Sequence, residues 1–158
     1  MRRIAHLARR FFGSFRARWP LPVDQSFVAE LLSPAESHVF WDQPVPDLAH
    51  ALRSAHAVLD ILSGRSDLAR AALLHDVGKR HSGIGTLKRS IATGLSALRI
   101  PTRGRMARYL DHAAIGAGEL EDLGCEDLVV QFSRHHHGSR PTHLSAVDWS
   151  VLVQADDE

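Results

Sequence analysis

The chain has 158 residues, of which 44% are apolar and 23% are charged, and this is the size and composition of one globular domain. Cys125 is the single cysteine, so the sequence excludes an internal disulfide and a zinc site built from several thiolates. With this cysteine usage we expect a reducing, cytoplasmic setting. No run of about 18 apolar residues is present, so no membrane-spanning helix is predicted.

The net charge of +1 hides an uneven distribution of charge along the chain. Residues 1–22 contain six arginines and no acidic residue, and their apolar residues recur at helical spacing. The pattern predicts a basic amphipathic helix over residues 1–22, followed by a helical domain over residues 23–158. This helix either docks its aromatic side on the domain, the interpretation we favour, or makes weak contact with an anionic membrane surface through residues 2–19.

A second basic stretch runs from Val77 to Leu110, with eight lysines and arginines and no acidic residue. A segment with one sign of charge suits an anionic ligand such as a phosphate. A solvated face, or neutralisation by acidic residues elsewhere in the chain, explains the same pattern equally well.

Helical signals recur through the rest of the chain, and no sustained two-residue alternation is present. Ser33-Pro34-Ala35-Glu36 predicts a capping box at the start of a helix. Three further helices are predicted to begin with capping side chains and to end at glycines: Asp47 to Gly64, Ser66 to Gly78 and Asp111 to Gly124. The remaining helical stretches are Thr86 to Leu98, 103–110, 126–136 and 144–156. The sequence thus predicts an all-α bundle of seven or eight helices.

Histidine is the residue type that stands out, with 11 copies, three of them consecutive at positions 135–137. One histidine is followed directly by an aspartate, as His75-Asp76, at the C-terminal end of an apolar helical stretch. An imidazole and a carboxylate there can bind one metal ion, and burying Asp76 without a cation would be costly. A helix-capping or salt-bridge role for Asp76 is the alternative.

Helical periodicity separates two other histidines. Stepped at about 100° per residue, Arg53, His56 and Asp60 fall on one polar arc, whereas His50 falls outside it, beside Ala57. We therefore expect His56 at the surface and His50 in the interior, where it is either a metal ligand or a hydrogen-bonded core residue.

Taken in order, these segments resemble the HD-domain metal-dependent phosphohydrolase superfamily, over residues 47–156. The stretch Ala72-Leu73-Leu74-His75-Asp76-Val77-Gly78-Lys79 resembles the central motif of that family. The other motif-like segments are His50–Ala55 (first histidine), Asp111–Ala117 (the extra histidine of two-metal members), Phe132–His137 (paired histidines) and Val153–Asp156 (final aspartate). The segment Leu7-Ala8-Arg9-Arg10-Phe11-Phe12-Gly13-Ser14 is similar to the N-terminus of small actinobacterial-type HD-domain proteins.

The resemblance implies an HD-like helical bundle that holds one or two divalent transition-metal ions, namely Fe, Mn, Co, Ni or Zn. One ion would be bound by His50, His75, Asp76 and Asp156. Asp76 would bridge to a second ion, which His112 and two of the three consecutive histidines would hold. Counting on from Phe132 selects His135 and His136, the pair we adopt, while counting back along the chain selects His136 and His137.

The same resemblance implies a reaction. Metal-activated hydroxide would cleave a phosphate ester or anhydride in a nucleotide or phosphodiester, with Asp76 and Lys79 as the catalytic residues. Lys79 would neutralise charge on the phosphate, or it caps the C-terminus of the preceding helix. The alternatives are an HD-fold di-iron oxygenase and a non-catalytic module that binds a nucleotide and signals. The expected partner is a small phosphorylated substrate rather than a nucleic acid duplex, because residues 23–158 are net acidic.

Overall fold

The computed structural model describes residues 22–157, so the amphipathic helix predicted over residues 1–22 lies outside the described residues apart from Pro22. The described chain is helical, which confirms the all-α prediction. Within it, no helix is long and apolar enough to cross a membrane. The helices in chain order are α1 (Pro22–Leu31), α2 (Pro34–Trp41), α3 (Val45–Ile61), α4 (Ser66–Leu74), a 3-10 helix (Val77–Ser82), α5 (Thr86–Ala97), α6 (Arg105–Leu110), α7 (His112–Asp122), α8 (Asp127–His135) and α9 (Ala146–Asp156).

The described residues thus form nine α-helices, more than the seven or eight expected. The helix that no sequence signal singled out is α1, which begins at Pro22. The basic helix predicted over residues 1–22 ends where α1 begins. A proline is also favourable at the first position of a helix, because the N–H that it lacks has no helical partner there.

The predicted helix caps agree with the structure at one position and differ at three. At the start of α2, Ser33 N–H donates to Glu36 Oε2 at 2.9 Å and Glu36 N–H donates to Ser33 Oγ at 3.4 Å, so the capping box is confirmed. Asp47 lies inside α3, and Ser66 is the first residue of α4 rather than its cap. Asp111 occupies the cap position of α7 without a capping side-chain bond.

The core is centred on α4, which packs against α3, α8 and α9. Its leucines are fully buried, as are apolar side chains that face it from the surrounding helices: Leu48, Val58, Phe132 and Leu152. Each such side chain contributes about 1.5–3 kcal/mol through burial. α4 ends at Leu74, not at Gly78 as predicted. Because the central helix ends there, the His75-Asp76 turn that follows it lies in the middle of the bundle.

Two glycines let α7 approach this turn. A Cβ on Gly78 would lie 2.1 Å from the His112 carbonyl oxygen and 2.6 Å from the Gly116 nitrogen. A Cβ on Gly116 would lie 2.9 Å from the Gly78 nitrogen. Because backbone atoms stand on both sides, no side chain can rotate away to make room. The crossing of the 3-10 helix with α7 thus depends on both glycines, and it brings His112 next to the His75-Asp76 turn.

Gly78→Ala is expected to lower the free energy of unfolding by about 3 kcal/mol, because the added methyl group forces two backbones apart. Gly118→Ala is the matched control, since Gly118 also belongs to the α7 region and has nothing within 4 Å of an added Cβ. That control should be unchanged or more stable by about 0.5–1 kcal/mol, as alanine favours helix. Urea unfolding measures both. Equal stability of the two variants would show that the crossing tolerates a side chain.

Candidate metal centre

Five elements bring ionisable side chains to one buried place at the centre of the bundle. α3, α7 and α9 each contribute one residue, and the turns after α4 and α8 contribute the rest. Each of these side chains belongs to a residue that is at most 8% exposed. The six residues are His50, His75, Asp76, His112, His136 and Asp156. Five of the six, together with the exposed His137, form two groups of ligand atoms that share Asp76. One group adds His50 and His75, and the other adds His112, His136 and His137.

Asp156 lies next to both histidines of the first group. Its Oδ1 atom lies 2.8 Å from His50 Nε2 and 3.1 Å from His75 Nε2. The Asp76 Oδ2 atom lies 3.3 Å from His75 Nε2 and 3.9 Å from His50 Nε2. The last turn of α9 holds this carboxylate in place, because Leu152 and Ala155 are fully buried. Asp157, one residue further on, is exposed.

The second group uses the other oxygen of Asp76. Its Oδ1 atom lies 3.3 Å from His112 Nε2 and 3.4 Å from His136 Nε2. The His137 ring also belongs here, with its centroid 5.2 Å from that of His112 and 3.9 Å from that of His136. The two carboxylate oxygens of Asp76 therefore face different groups of imidazoles, which is the arrangement that a bridging ligand requires.

Three of the imidazoles are oriented by hydrogen bonds to the backbone. In each, Nδ1 donates to the carbonyl oxygen three residues earlier: Ala72 for His75 at 2.8 Å, Tyr109 for His112 at 2.7 Å and Ser133 for His136 at 2.8 Å. Because a carbonyl oxygen can only accept, Nδ1 carries the hydrogen, and in the neutral ring Nε2 presents a lone pair to the site. Metal-binding histidines are commonly held in this way.

The Nε2 atoms of these three rings are buried and have no hydrogen-bond partner among the described residues. Buried polar atoms are ordinarily hydrogen-bonded, so three such atoms converging on one carboxylate need a further partner. Imidazole nitrogens and carboxylate oxygens without a thiolate suit divalent transition metals better than Ca²⁺. The donor set therefore fits one or two such ions.

Lys79 is buried and its Nζ atom contacts Asp76 Oδ2. The structure thus places the ammonium on the carboxylate and not at the C-terminus of α4. Burial by itself would raise the pKa of Asp76, but Lys79 and His75 together lower this pKa well below its usual value. In the protein without a metal ion, Lys79 supplies part of the positive charge that Asp76 needs.

The charges of the first group depend on one another. Burial would lower the pKa of His75, but the carboxylates of Asp76 and Asp156 outweigh it and raise this pKa to about 10. Burial likewise would raise the pKa of Asp156, and the neighbouring imidazoles of His75 and His50 lower it well below the usual range. In the second group burial dominates, and it lowers the pKa of His136, while burial and neighbouring rings lower that of His137 to about 3.

The three consecutive histidines separate as α8 ends. His135 is the last residue of α8, is half-buried and belongs to neither group, whereas His136 and His137 follow in the turn and belong to the second group. Side chains on adjacent helical positions diverge by about 100°, so three in a row cannot meet at one ion. The structure therefore brings His136 and His137, the alternative pair, into the second group, and it leaves His135 outside.

The prediction from periodicity in α3 is confirmed. His50 is 8% exposed and lies in the cluster. His56 is exposed and stacks on Phe27, with ring centroids 4.3 Å apart. The polar arc of α3 thus faces away from the metal centre.

Two side chains support the site through contacts that the sequence analysis did not predict. Ser133 is buried, and its hydroxyl donates to the His75 carbonyl oxygen at 3.0 Å, which ties α8 to the His75-Asp76 turn. Arg89 donates through Nη1 to both carboxylate oxygens of the buried Asp47, at 2.6 and 2.8 Å. Its guanidinium also lies 5.6 Å from the centre of the Tyr109 ring, and that ring stacks on His112.

Arg89 thereby connects α3, which carries His50, with α6, whose Tyr109 stacks on His112 at the start of α7. Asp47 precedes His50 by one turn in α3, and Tyr109 lies one turn before His112. The Arg89 guanidinium contacts both Asp47 and Tyr109. The basic stretch is therefore neutralised in part by acidic residues elsewhere in the chain, here by Asp47.

The profile of the HD domain family matches residues 47–155, which is more than half of the chain. The chain belongs to the HD-domain family. Comparison with curated proteins and with solved structures gives no significant match. The matched range contains His50, the His75-Asp76 pair, His112 and the histidine run, and it ends one residue before Asp156. The His/Asp cluster of this domain can hold a metal ion.

In the metal-free protein, the free energy of unfolding is expected to fall as the pH rises from about 6.5 to about 10. His75 has a pKa near 6.5 when unfolded and about 10 when folded. Its contribution is fully present below the first value and is lost as the pH rises through the second. Urea unfolding in EDTA at several pH values measures this loss. His75→Gln should remove it and His56→Gln should retain it; equal pH dependence in both variants would contradict the assignment.

Arg89→Met is expected to lower the free energy of unfolding by about 3 kcal/mol, because the substitution leaves the buried Asp47 carboxylate without the guanidinium that pairs with it. It should also weaken divalent-metal binding, measured by titration of the metal-free protein. Lys88→Met is the matched control, since Lys88 is the exposed neighbour of Arg89 in α5. Adding Asp47→Asn to Arg89→Met should restore part of the stability. Equal losses for the Arg89 and Lys88 variants would contradict a supporting role.

Proposed function

We propose that this protein is a metal-dependent phosphohydrolase that cleaves a phosphate ester or anhydride in a small substrate. The observation that carries the proposal is the convergence of three buried imidazole Nε2 atoms on the two oxygens of Asp76. Membership of the HD-domain family supports it, because that family is built around such a His/Asp cluster and is generally hydrolytic.

The charge balance of the site favours an anionic substrate. Two buried carboxylates, Asp76 and Asp156, stand against one buried ammonium, that of Lys79. With neutral imidazoles the protein groups sum to −1, so one divalent ion brings the site to +1 and two ions bring it to +3. A positive, largely enclosed site attracts phosphate groups and strengthens their interaction with fixed charges.

On this proposal each protein group has a defined task. His50, His75, Asp76 and Asp156 would hold one divalent ion, and Asp76, His112, His136 and His137 a second. Such ions, when bound, orient phosphate oxygens and lower the pKa of a water molecule enough to make it a nucleophile at neutral pH. The backbone carbonyls fix which imidazole nitrogen faces the site, so the rings need no reorientation.

Lys79 has two tasks in sequence. Before a cation binds, its ammonium neutralises Asp76. A cation bound to Asp76 would compete with the ammonium for the same carboxylate, and the ammonium is then available to a phosphate oxygen. The substrate would enter beside His137, which is the exposed member of the cluster.

Hydrolysis of bis(p-nitrophenyl) phosphate and of a nucleotide panel, with Mn²⁺, Ni²⁺ or Fe²⁺, tests the proposal. Asp76→Ala and His75→Ala should lose activity on the order of a thousandfold, together with bound metal. The His137→Ala variant should lose about 10–100-fold in hydrolytic activity, as expected for a peripheral ligand. The His135→Ala variant should hydrolyse the substrate at close to the wild-type rate. Elemental analysis of each variant measures the metal directly.

Two results would contradict the proposal. Metal-loaded protein that leaves the whole phosphate panel intact is not a phosphohydrolase of these substrates. Consumption of dioxygen with an iron-dependent absorption spectrum, without phosphate release, would indicate the oxygenase alternative instead.

A further inference from the structure

α5 and the turn after it expose a row of large apolar side chains. Leu87 is 67% exposed, Ile91 45%, Leu98 73% and Ile100 46%. Leu87, Ile91 and Leu98 are spaced by four and seven residues, so they lie on one side of the helix axis. Among the other elements, α5 packs chiefly against α6, which leaves this side uncovered within residues 22–157. We call this surface, formed by Leu87, Ile91, Leu98 and Ile100, the α5 face.

The α5 face lies within a basic interval of the chain. The interval from residue 77 to residue 110 contains no acidic residue. Three basic residues of the interval are directed inward, where Lys79 contacts Asp76, Arg80 pairs with Asp42 and Glu119, and Arg89 pairs with Asp47. The other five are exposed and form no ion pair with an acidic side chain of the described chain: Lys88, Arg99, Arg103, Arg105 and Arg108.

The tip of the α5 face has an unusual backbone. Arg99 has φ of 57°, the one positive φ among non-glycine residues in the described chain. Arg99 follows Leu98, the C-terminal cap of α5, and Ile100 N–H donates to the Leu95 carbonyl at 2.9 Å and Arg99 N–H to that of Ser96 at 2.9 Å. Glycine is the favoured residue at such a position, and another residue costs on the order of 1 kcal/mol. An arginine there lies between two exposed apolar residues, Leu98 and Ile100.

The charge decides which occupant fits this surface. Residues 1–22 carry six arginines and no acidic residue, so they are not electrostatically complementary to it. A second copy of the chain docked symmetrically would bring like charges together. An anionic lipid surface satisfies both features, because its headgroups pair with arginine and lysine while aliphatic side chains insert beside them.

We propose that the α5 face docks on anionic membrane surfaces, with Leu98 and Ile100 inserted at the headgroup boundary and the neighbouring arginines on lipid phosphates. The proposal is independent of the reaction at the metal centre. It concerns a surface contact and requires no spanning helix.

Vesicle co-sedimentation of the full chain tests this docking. The probes are vesicles of phosphatidylcholine with phosphatidylserine, and vesicles of phosphatidylcholine alone. The wild-type protein should bind the first and not the second, and high salt should weaken the binding. Leu98→Ser with Ile100→Ser should weaken it about tenfold or more, as should Arg99→Gln with Arg103→Gln. Val147→Ser is the matched control, because Val147 is 66% exposed on α9, outside the α5 face, and this variant should bind like the wild type.

Thermal unfolding of each variant checks that the fold is unchanged. Absence of binding to the anionic vesicles would overturn the proposal. Binding that survives Leu98→Ser with Ile100→Ser would also overturn it, since the attachment then lies elsewhere, for example in residues 2–19. Sensitivity to the arginine changes alone, with equal binding to poly-glutamate, would identify an acidic polypeptide as the partner and overturn it as well.

Discussion

The structure depends on one buried carboxylate. Asp76 is 0% exposed, and its two oxygens face imidazoles of two different groups, with Lys79 on one side. A carboxylate in such a place is costly unless positive charge surrounds it. In the protein without a metal ion, Lys79 and protonated His75 provide that charge. A metal ion that binds His75 must displace its proton, so metal affinity is coupled to pH by the construction of the site.

Small residues make this arrangement geometrically possible. Gly78 and Gly116 allow two backbones to touch, and Ser133 bonds to the His75 carbonyl across the same junction. Each of these residues lies within four positions of a histidine or aspartate of the cluster. The packing that positions the ligands and the ligands themselves are thus encoded in the same short segments.

Local sequence patterns predicted the helices well and their caps poorly. The period of 3.6 residues identified α3 and placed His50 inside, because one face of a long helix must meet the core. Asp47, Ser66 and Asp111 suit helix starts by residue type, but Asp47 is used instead in the bond with Arg89 from α5. That bond joins residues 42 positions apart, and no local pattern encodes such a pairing.

The candidate site was predictable from periodicity and from the family-like motifs, and it was ambiguous within the histidine run, where α8 ends. His50, His112 and Asp156 lie in helices, and the structure brings them into the cluster as expected. The choice among residues 135–137 depended on the residue at which α8 ends, and a boundary of one or two residues is beyond what periodicity can fix. Ser133 and Arg89 act through tertiary contacts alone, so only the folded chain reveals them.

The basic stretch of residues 77–110 divides into an inner and an outer set. The inner set neutralises buried acids, and Arg89 rests on Tyr109, which stacks on His112. The outer set is exposed, and Lys88 and Arg99 adjoin residues of the α5 face along the chain. Since α5 carries members of both sets, one helix contributes Arg89 to the inner supports of the ligands and Lys88 to the exposed basic surface.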